Sequence, residues 1–113
     1  MDSEFVFYVI ERMAAWAPVE ARAMFGGFGL YREEVIFAIV VDSVLYFRTD
    51  AENQAHFEQA GCDAFVHRTR DRAIAMPYRE APADALDDSE SMALWAQSGY
   101  EAARRVRSTR GPG

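Results

Sequence analysis

The sequence predicts an α+β fold of two layers, an antiparallel sheet covered by helices in the order α-ββββ-α-ββ-α. Three observations lead there. Val35 to Val41 is an uninterrupted apolar run, rich in β-branched residues and bracketed by Glu33-Glu34 and Asp42-Ser43, which reads as a buried strand and not a helix. Phe28–Arg32 and Val44–Arg48 flank it as shorter runs, close enough to pair with it across tight turns. Helical spacing occurs only toward the flanks, so the helices must come from there to cover the sheet.

In chain order, Phe5 to Ala17 reads as the first helix, with Asp2 or Ser3 as N-cap and Glu4 in the first turn, where negative charge suits the dipole. Phe5, Val9, Met13 and Trp16 form its inward stripe, widened by Val6, Phe7 and Ile10. Pro18 stops it. Val19 to Phe25 alternates weakly as a first strand, Gly26-Gly27 breaks the run, and Phe28–Arg32, Val35–Val41 and Val44–Arg48 follow as strands two to four. Asp50 is a fitting N-cap for a helix from Ala51 to Ala60 that ends on Gly61, with Phe57, Ala60 and either Ala51 or Asn53 facing the sheet. Ala64–Val66 and Ala73–Met76 are two more strands, the second closed by Pro77. Asp87 or Asp88 caps a final helix to about Val106. Its stripe of Met92, Trp95, Ala96, Gly99, Ala103 and Val106 is small enough to let the backbone lie close to the sheet. One domain, 1–107, with a short polar tail, 108–113, is the expected organisation.

Composition narrows the class. A chain of 113 residues, half of them apolar, makes one domain and buries roughly two thirds of its unfolded surface. The single Cys62 excludes an internal disulfide and fits a reducing compartment. The opening residues lack a basic n-region and no apolar run is long enough for a membrane span, so the expected location is the cytoplasm. The net charge is -6, and every basic residue is arginine. An acidic domain must gather its cations on one face to grip phosphate, which disfavours direct nucleic-acid binding.

The central strands raise a question of cover. An antiparallel sheet with one open face should alternate apolar and polar. Here Val35, Phe37, Ile39 and Val41 point one way and Ile36, Ala38 and Val40 the other, and Val44–Phe47 is apolar on both sides too. Either the sheet curves and the helices wrap both faces, or a second copy supplies the cover.

Apparatus for chemistry is sparse. Gly26-Gly27-Phe28-Gly29 is followed by a strand and not by the helix N-terminus a phosphate loop requires, so it reads as a hairpin connection. His56, Cys62 and His67 lack the paired spacing of a structural zinc site. Cys62 sits just past a helix C-terminus, where the dipole raises a thiol pKa. The acids Glu80, Asp84, Asp87, Asp88 and Glu90 suit the start of the final helix, and Arg104, Arg105, Arg107 and Arg110 suit its end. No catalytic, cofactor-binding or metal-binding residue is expected.

The run M-F-G-G-F-G-L-Y at Met24–Tyr31, F-A-I-V-x-D at Phe37–Asp42, L-Y-F-R at Leu45–Arg48, and the helix carrying Asn53, Phe57 and Gly61 resemble the TfoX N-terminal domain family. Phe65, Met76-Pro77-Tyr78, Pro82, Leu94-Trp95 and Ala102-Ala103-Arg104 agree, so the resemblance covers about residues 5 to 105. It implies a fold similar to the secretion-chaperone-like folds. It also implies a role in regulating natural competence, as in the proteins also called Sxy, which act alongside the cyclic-AMP receptor protein. Those longer regulators carry a second, C-terminal domain, so a stand-alone first domain is expected here. Arg72-Ala73 stands where many relatives have a glycine-lysine pair.

The function expected is a non-enzymatic, cytoplasmic protein-interaction module of the transcriptional-regulator type, with a protein partner or a second copy of itself as a homodimer. The contact residues expected are Met24, Phe25, Phe28 and Tyr31. The alternative is a small-molecule-binding or enzymatic domain with a pocket between sheet and helix, anchored by Arg48, Arg79 or Tyr78. A third reading puts DNA on the arginine tail.

Overall fold

A computed structural model describes residues 2–24 and 26–110. Ten elements follow one another: α1 (Asp2–Met13), β1 (Glu20–Met24), β2 (Gly27–Arg32), β3 (Val35–Val41), β4 (Val44–Arg48), α2 (Gln54–Gln59), β5 (Ala64–Arg68), β6 (Ala73–Glu80), α3 (Ala83–Asp87) and α4 (Ser89–Arg110). The six strands form one antiparallel sheet in the order β1-β2-β3-β4-β6-β5. This is the α+β, two-layer arrangement that the residue patterns predict, with the short α3 added between the last strand and the last helix.

The turns explain why β2, β3 and β4 lie side by side in sequence order. Glu33 and Glu34 have φ of 50° and 69°, and Asp42 and Ser43 have 52° and 60°. Two consecutive left-handed residues match the twist of the flanking strands and hold the β2-β3 and β3-β4 hairpins in register. Side chains keep the first turn in place: Arg22 pairs with Glu34 at 2.9 Å, and the Tyr100 hydroxyl donates to Glu33 Oε1 at 2.7 Å.

The helix layer closes one face completely. Val9, Met13, Leu30, Phe37, Val40, Leu45, Phe47, Phe57 and Met92 are essentially inaccessible. Phe37 meets Trp16 and Tyr100 edge to face at 5.4 and 6.2 Å, and Phe57 meets Trp95 at 4.8 Å. Gly99 allows α4 to lie this close, because a Cβ there would sit 3.2 Å from both the Phe37 carbonyl oxygen and Phe47. Asp88 caps α4 through its carboxylate, which accepts the Ser91 N–H.

Several boundaries differ from expectation. α1 contains Asp2 and Ser3, and it gives way after Met13 to tighter turns that run on to Ala17. Phe7 is 70% exposed, off the inward stripe. Residues 51–53 form a turn before α2; the Asp50 carboxylate accepts the N–H groups of Glu52 and Asn53, and Gly61 ends the segment with φ 77°. Phe57 and Asn53 face inward, whereas Ala51 and Ala60 are exposed. Pro77 does not close the last strand, which continues to Glu80. The pairing explains this: Ala64 opposes Arg79 and Val66 opposes Ala75, so Met76, Pro77 and Tyr78 bulge against the single residue Phe65. A bulge is a position where the missing N–H is tolerated. α4 runs past Val106 to Arg110. Among the described residues, no helix is long and apolar enough to cross a membrane.

Candidate functional site

The site follows from a defect in the pairing of β3. Leu30 opposes Ala38 while its neighbour Tyr31 opposes Ile36, which leaves Phe37 as an extra residue. A bulge breaks strict alternation. Phe37 and Ala38 therefore both serve the helix-covered core, with Val40 and the packed side chain of Val35. Ile36, Ile39 and Val41 are left on the opposite face. Cross-strand partners extend that face: Gly29 and Tyr46 oppose Ile39, Gly27 opposes Val41, and Arg22 and Met24 on β1 oppose Gly29 and Gly27.

Among the described residues no helix lies over this second face; the end of α4 reaches only its margin, where Ala103, Val106 and Arg107 share a hollow with Tyr31, Ile36 and Arg48. Its partial cover comes from the sheet itself. β6 pairs with β4 only over Tyr78–Glu80, so the rest of the β5-β6 hairpin extends beyond the sheet as a two-stranded ribbon. Phe65 of the ribbon packs on Tyr46 with ring centroids 4.9 Å apart. Between ribbon and sheet lies a groove of about 500 Å³. Its floor is Ile36, Ile39, Val41 and Arg48, one side is Met24 and Gly26, and the other is Phe65, His67, Met76, Pro77 and Tyr78. Every lining residue except Gly26 is on a strand.

Glycine keeps the floor flat. A Cβ on Gly29 would fall 2.8 Å from Ile36 Cδ1 and 3.1 Å from both Met24 Sδ and Tyr31 Cε1. Those three side chains therefore meet over Gly29. Of the expected contact residues, Met24 and Tyr31 are thus brought together on the open face. Phe28 opposes Val40 and packs against the core. Phe25 lies outside the described residues.

The charged groups divide by face. The Arg48 guanidinium lies 5.6 Å from the Tyr78 ring centroid in the groove. Burial pushes the Tyr78 hydroxyl pKa up, and hydrogen bonding from Arg48 opposes that shift. Arg79 turns to the other side, where it donates to the Cys62 carbonyl at 2.9 Å and pairs with Glu58 at 3.2 Å. Arg48 and Tyr78 of the alternative reading are therefore neighbours in a groove, but that groove lies on the uncovered face and not between sheet and helix.

The remaining candidates have other uses. Cys62 is buried, and burial is the main reason its thiol pKa is raised, with neighbouring Glu80 adding to it. His56 is exposed on α2. Arg105 of the basic C-terminal run bonds Asp50 at 2.7 and 2.9 Å, which ties α4 to the end of β4. Among the described residues, His, Cys, Asp and Glu nowhere gather in threes at metal-holding distance.

Comparison with known proteins agrees with the motif run. The family model of the TfoX N-terminal domain matches residues 11–103. The chain belongs to the TfoX N-terminal domain family. It is also 48% identical over 46 residues to the DNA transformation protein TfoX1 of Aliivibrio fischeri. That match takes in 41% of this chain and 22% of the relative's length. In this TfoX N-terminal domain, the Met24–Tyr31 motif supplies the β1-β2 connection and the glycine-lined part of the open face. Ile36, Ile39, Phe65, His67 and Met76 are groove residues that the sequence pattern does not assign to a site. Their alternation is hidden by two bulges, and only the family-like Met-Pro-Tyr triplet hints at the second.

Proposed function

We propose that this TfoX N-terminal domain is a non-enzymatic regulatory module of the competence type, acting in the cytoplasm by docking a protein partner on the uncovered face of its sheet. The observation that carries the reading is that face: Met24, Ile36 and Val41 are presented around the buried Ile39, with no helix over them among the described residues. Unpartnered apolar surface of this kind marks interaction sites. The relative's printed role in DNA transformation supports the competence context.

Charge selects the partner. The chain is acidic overall, yet Arg68, Arg70 and Arg72 stand exposed at the ribbon end with Asp71 as the one acid among them. Among the described residues, no carboxylate pairs with Arg48. The segment that fits is apolar with flanking carboxylates. A second copy fits less well, because it would bring a second arginine-rimmed face against the first.

A photo-crosslinking residue at Ile36, with a control at Leu94 on the exposed side of α4, tests this. The expected result is a crosslink to one acidic partner from Ile36 only, removed by Met24→Arg, whose side chain is exposed on that face. A dimer in light scattering that Met24→Arg dissolves would put a second copy in the partner's place. Equal crosslinking from both positions would remove the docking role from this face.

A further inference from the structure

We infer that the groove between the β5-β6 ribbon and the β1-β3 strands binds a small carboxylate with an apolar body, its head held by Arg48. The groove's size lies in the range of small-ligand sites. Its lining is aliphatic and aromatic apart from Arg48, His67 and the Tyr78 hydroxyl. Such a surface desolvates an alkyl or aryl body favourably, and it rejects a ligand that is polar along its length.

Arg48 supplies the polarity of the head. Arg22, Arg79 and Arg105 each meet a carboxylate of their own chain, at 2.9, 3.2 and 2.7 Å. Arg48 meets none among the described residues, and its buried Nε has no hydrogen-bond partner. A buried donor without an acceptor is costly. The Tyr78 ring beneath the guanidinium holds it in place. A planar two-oxygen carboxylate matches the guanidinium fork better than a single-point acceptor does. A cationic amphiphile of the same length would fill the groove but meet Arg48 with like charge.

This inference goes beyond docking and stands without it, since it concerns the isolated chain. It adds a regulatory consequence: a ligand in the groove covers Ile36 and Val41, the surface the protein partner would use, so the two exclude each other.

The test is titration calorimetry of the isolated domain with decanoate below its aggregation concentration, alongside decyltrimethylammonium. Methyl NMR of the isoleucines locates the binding. The expected result is saturable one-to-one binding of decanoate, methyl shifts at Ile36 and Ile39, and little response to the cation. Arg48→Gln is expected to weaken decanoate by about tenfold or more, with Arg48→Lys intermediate. Three results would overturn the assignment: no saturable binding, equal affinity for the two amphiphiles, or methyl shifts away from the groove. Should Arg48→Gln fail to fold, the charge comparison and methyl map on the wild-type domain still decide it. Its failure leaves the crosslinking test of partner docking unaffected.

Discussion

The two faces of β3 are built from the same kinds of residue and reach opposite ends. Phe37, Ala38 and Val40 on one face are fully buried beneath α1 and α4. Ile36 and Val41 on the other face stay half-exposed, with strand edges and a hairpin ribbon for neighbours. The first face is a core that the chain completes from its own flanks. The second is a surface whose apolar character helix packing does not account for. The comparison teaches that burial depends on which elements arrive over a strand, not on the strand's hydrophobicity.

The sharpest way to break this contrast is to truncate one residue on each face. Phe47→Ala, between α4 and the sheet, is expected to cost about 3–5 kcal/mol in urea unfolding. Met24→Ala, on the open face, is expected to cost under about 1 kcal/mol. Similar losses would mean that the open face is as structural as the closed one.

Glycines at the two depths give the next largest effect. A Cβ on Gly27 would fall 2.0 Å from the Val40 carbonyl oxygen, a backbone atom that cannot step aside, whereas Gly29 meets mobile side-chain ends. Gly27→Ala is expected to destabilise by about 3 kcal/mol and Gly29→Ala by about 1, read from denaturation midpoints. The order is the prediction: if Gly29→Ala is the worse of the two, the open face is packed more rigidly than described.

The helix-covered side also carries an acid-sensitive clamp. The Arg105 hydrogen bond holds the Asp50 pKa below its usual value, against the opposing effect of burial. A folded pKa below the unfolded one stabilises the protein fully above the unfolded value, near about 3.9. That stabilisation is lost as pH falls through the folded value. Arg105→Met is expected to cost about 2 kcal/mol at neutral pH and to flatten the decline in stability below about pH 4. Melting curves across that range check both. A parallel pH profile for the variant would show that the clamp contributes nothing there.

The smallest expected effect has the opposite sign. Ser43 holds φ of 60° in a two-residue turn, where an Asp-Gly pair is preferred. Ser43→Gly is expected to add about 0.5–1 kcal/mol. Because neither Asp42 nor Ser43 lines the groove, although the turn adjoins Val41, ligand or partner binding should change little with it.

Much of this was legible in the residues. The run Val35–Val41 has a polar pair at each end, and those pairs are the turns. Gly61 and Asp88 carry out the terminating and capping roles their chemistry suits, whereas Asp50 holds the turn at residues 51–53 and the N-cap of α2 is Asn53. The groove was legible only in fragments. Met24 and Tyr31 stand out in the sequence for their apolar or aromatic character, and Arg48 and Tyr78 as polar anchors. Nothing local says that these four share one face. Pro77 read as a terminator because an isolated strand has no use for it, and only pairing with Phe65 opposite makes it a bulge.

What the amino-acid order determined by itself was the set of elements, their turns and caps, and the motif that places the chain in its family. These depend on interactions between residues a few positions apart, where side-chain chemistry and spacing carry the information. Tertiary structure alone decided which face of β3 is covered, because that depends on one unpaired residue, Phe37, against a neighbouring strand. It also decided that the β5-β6 ribbon stands over the open face and leaves Arg48 beside an apolar groove. Strand pairing of this kind joins residues far apart in the chain, so a linear pattern holds the parts of the groove without their arrangement.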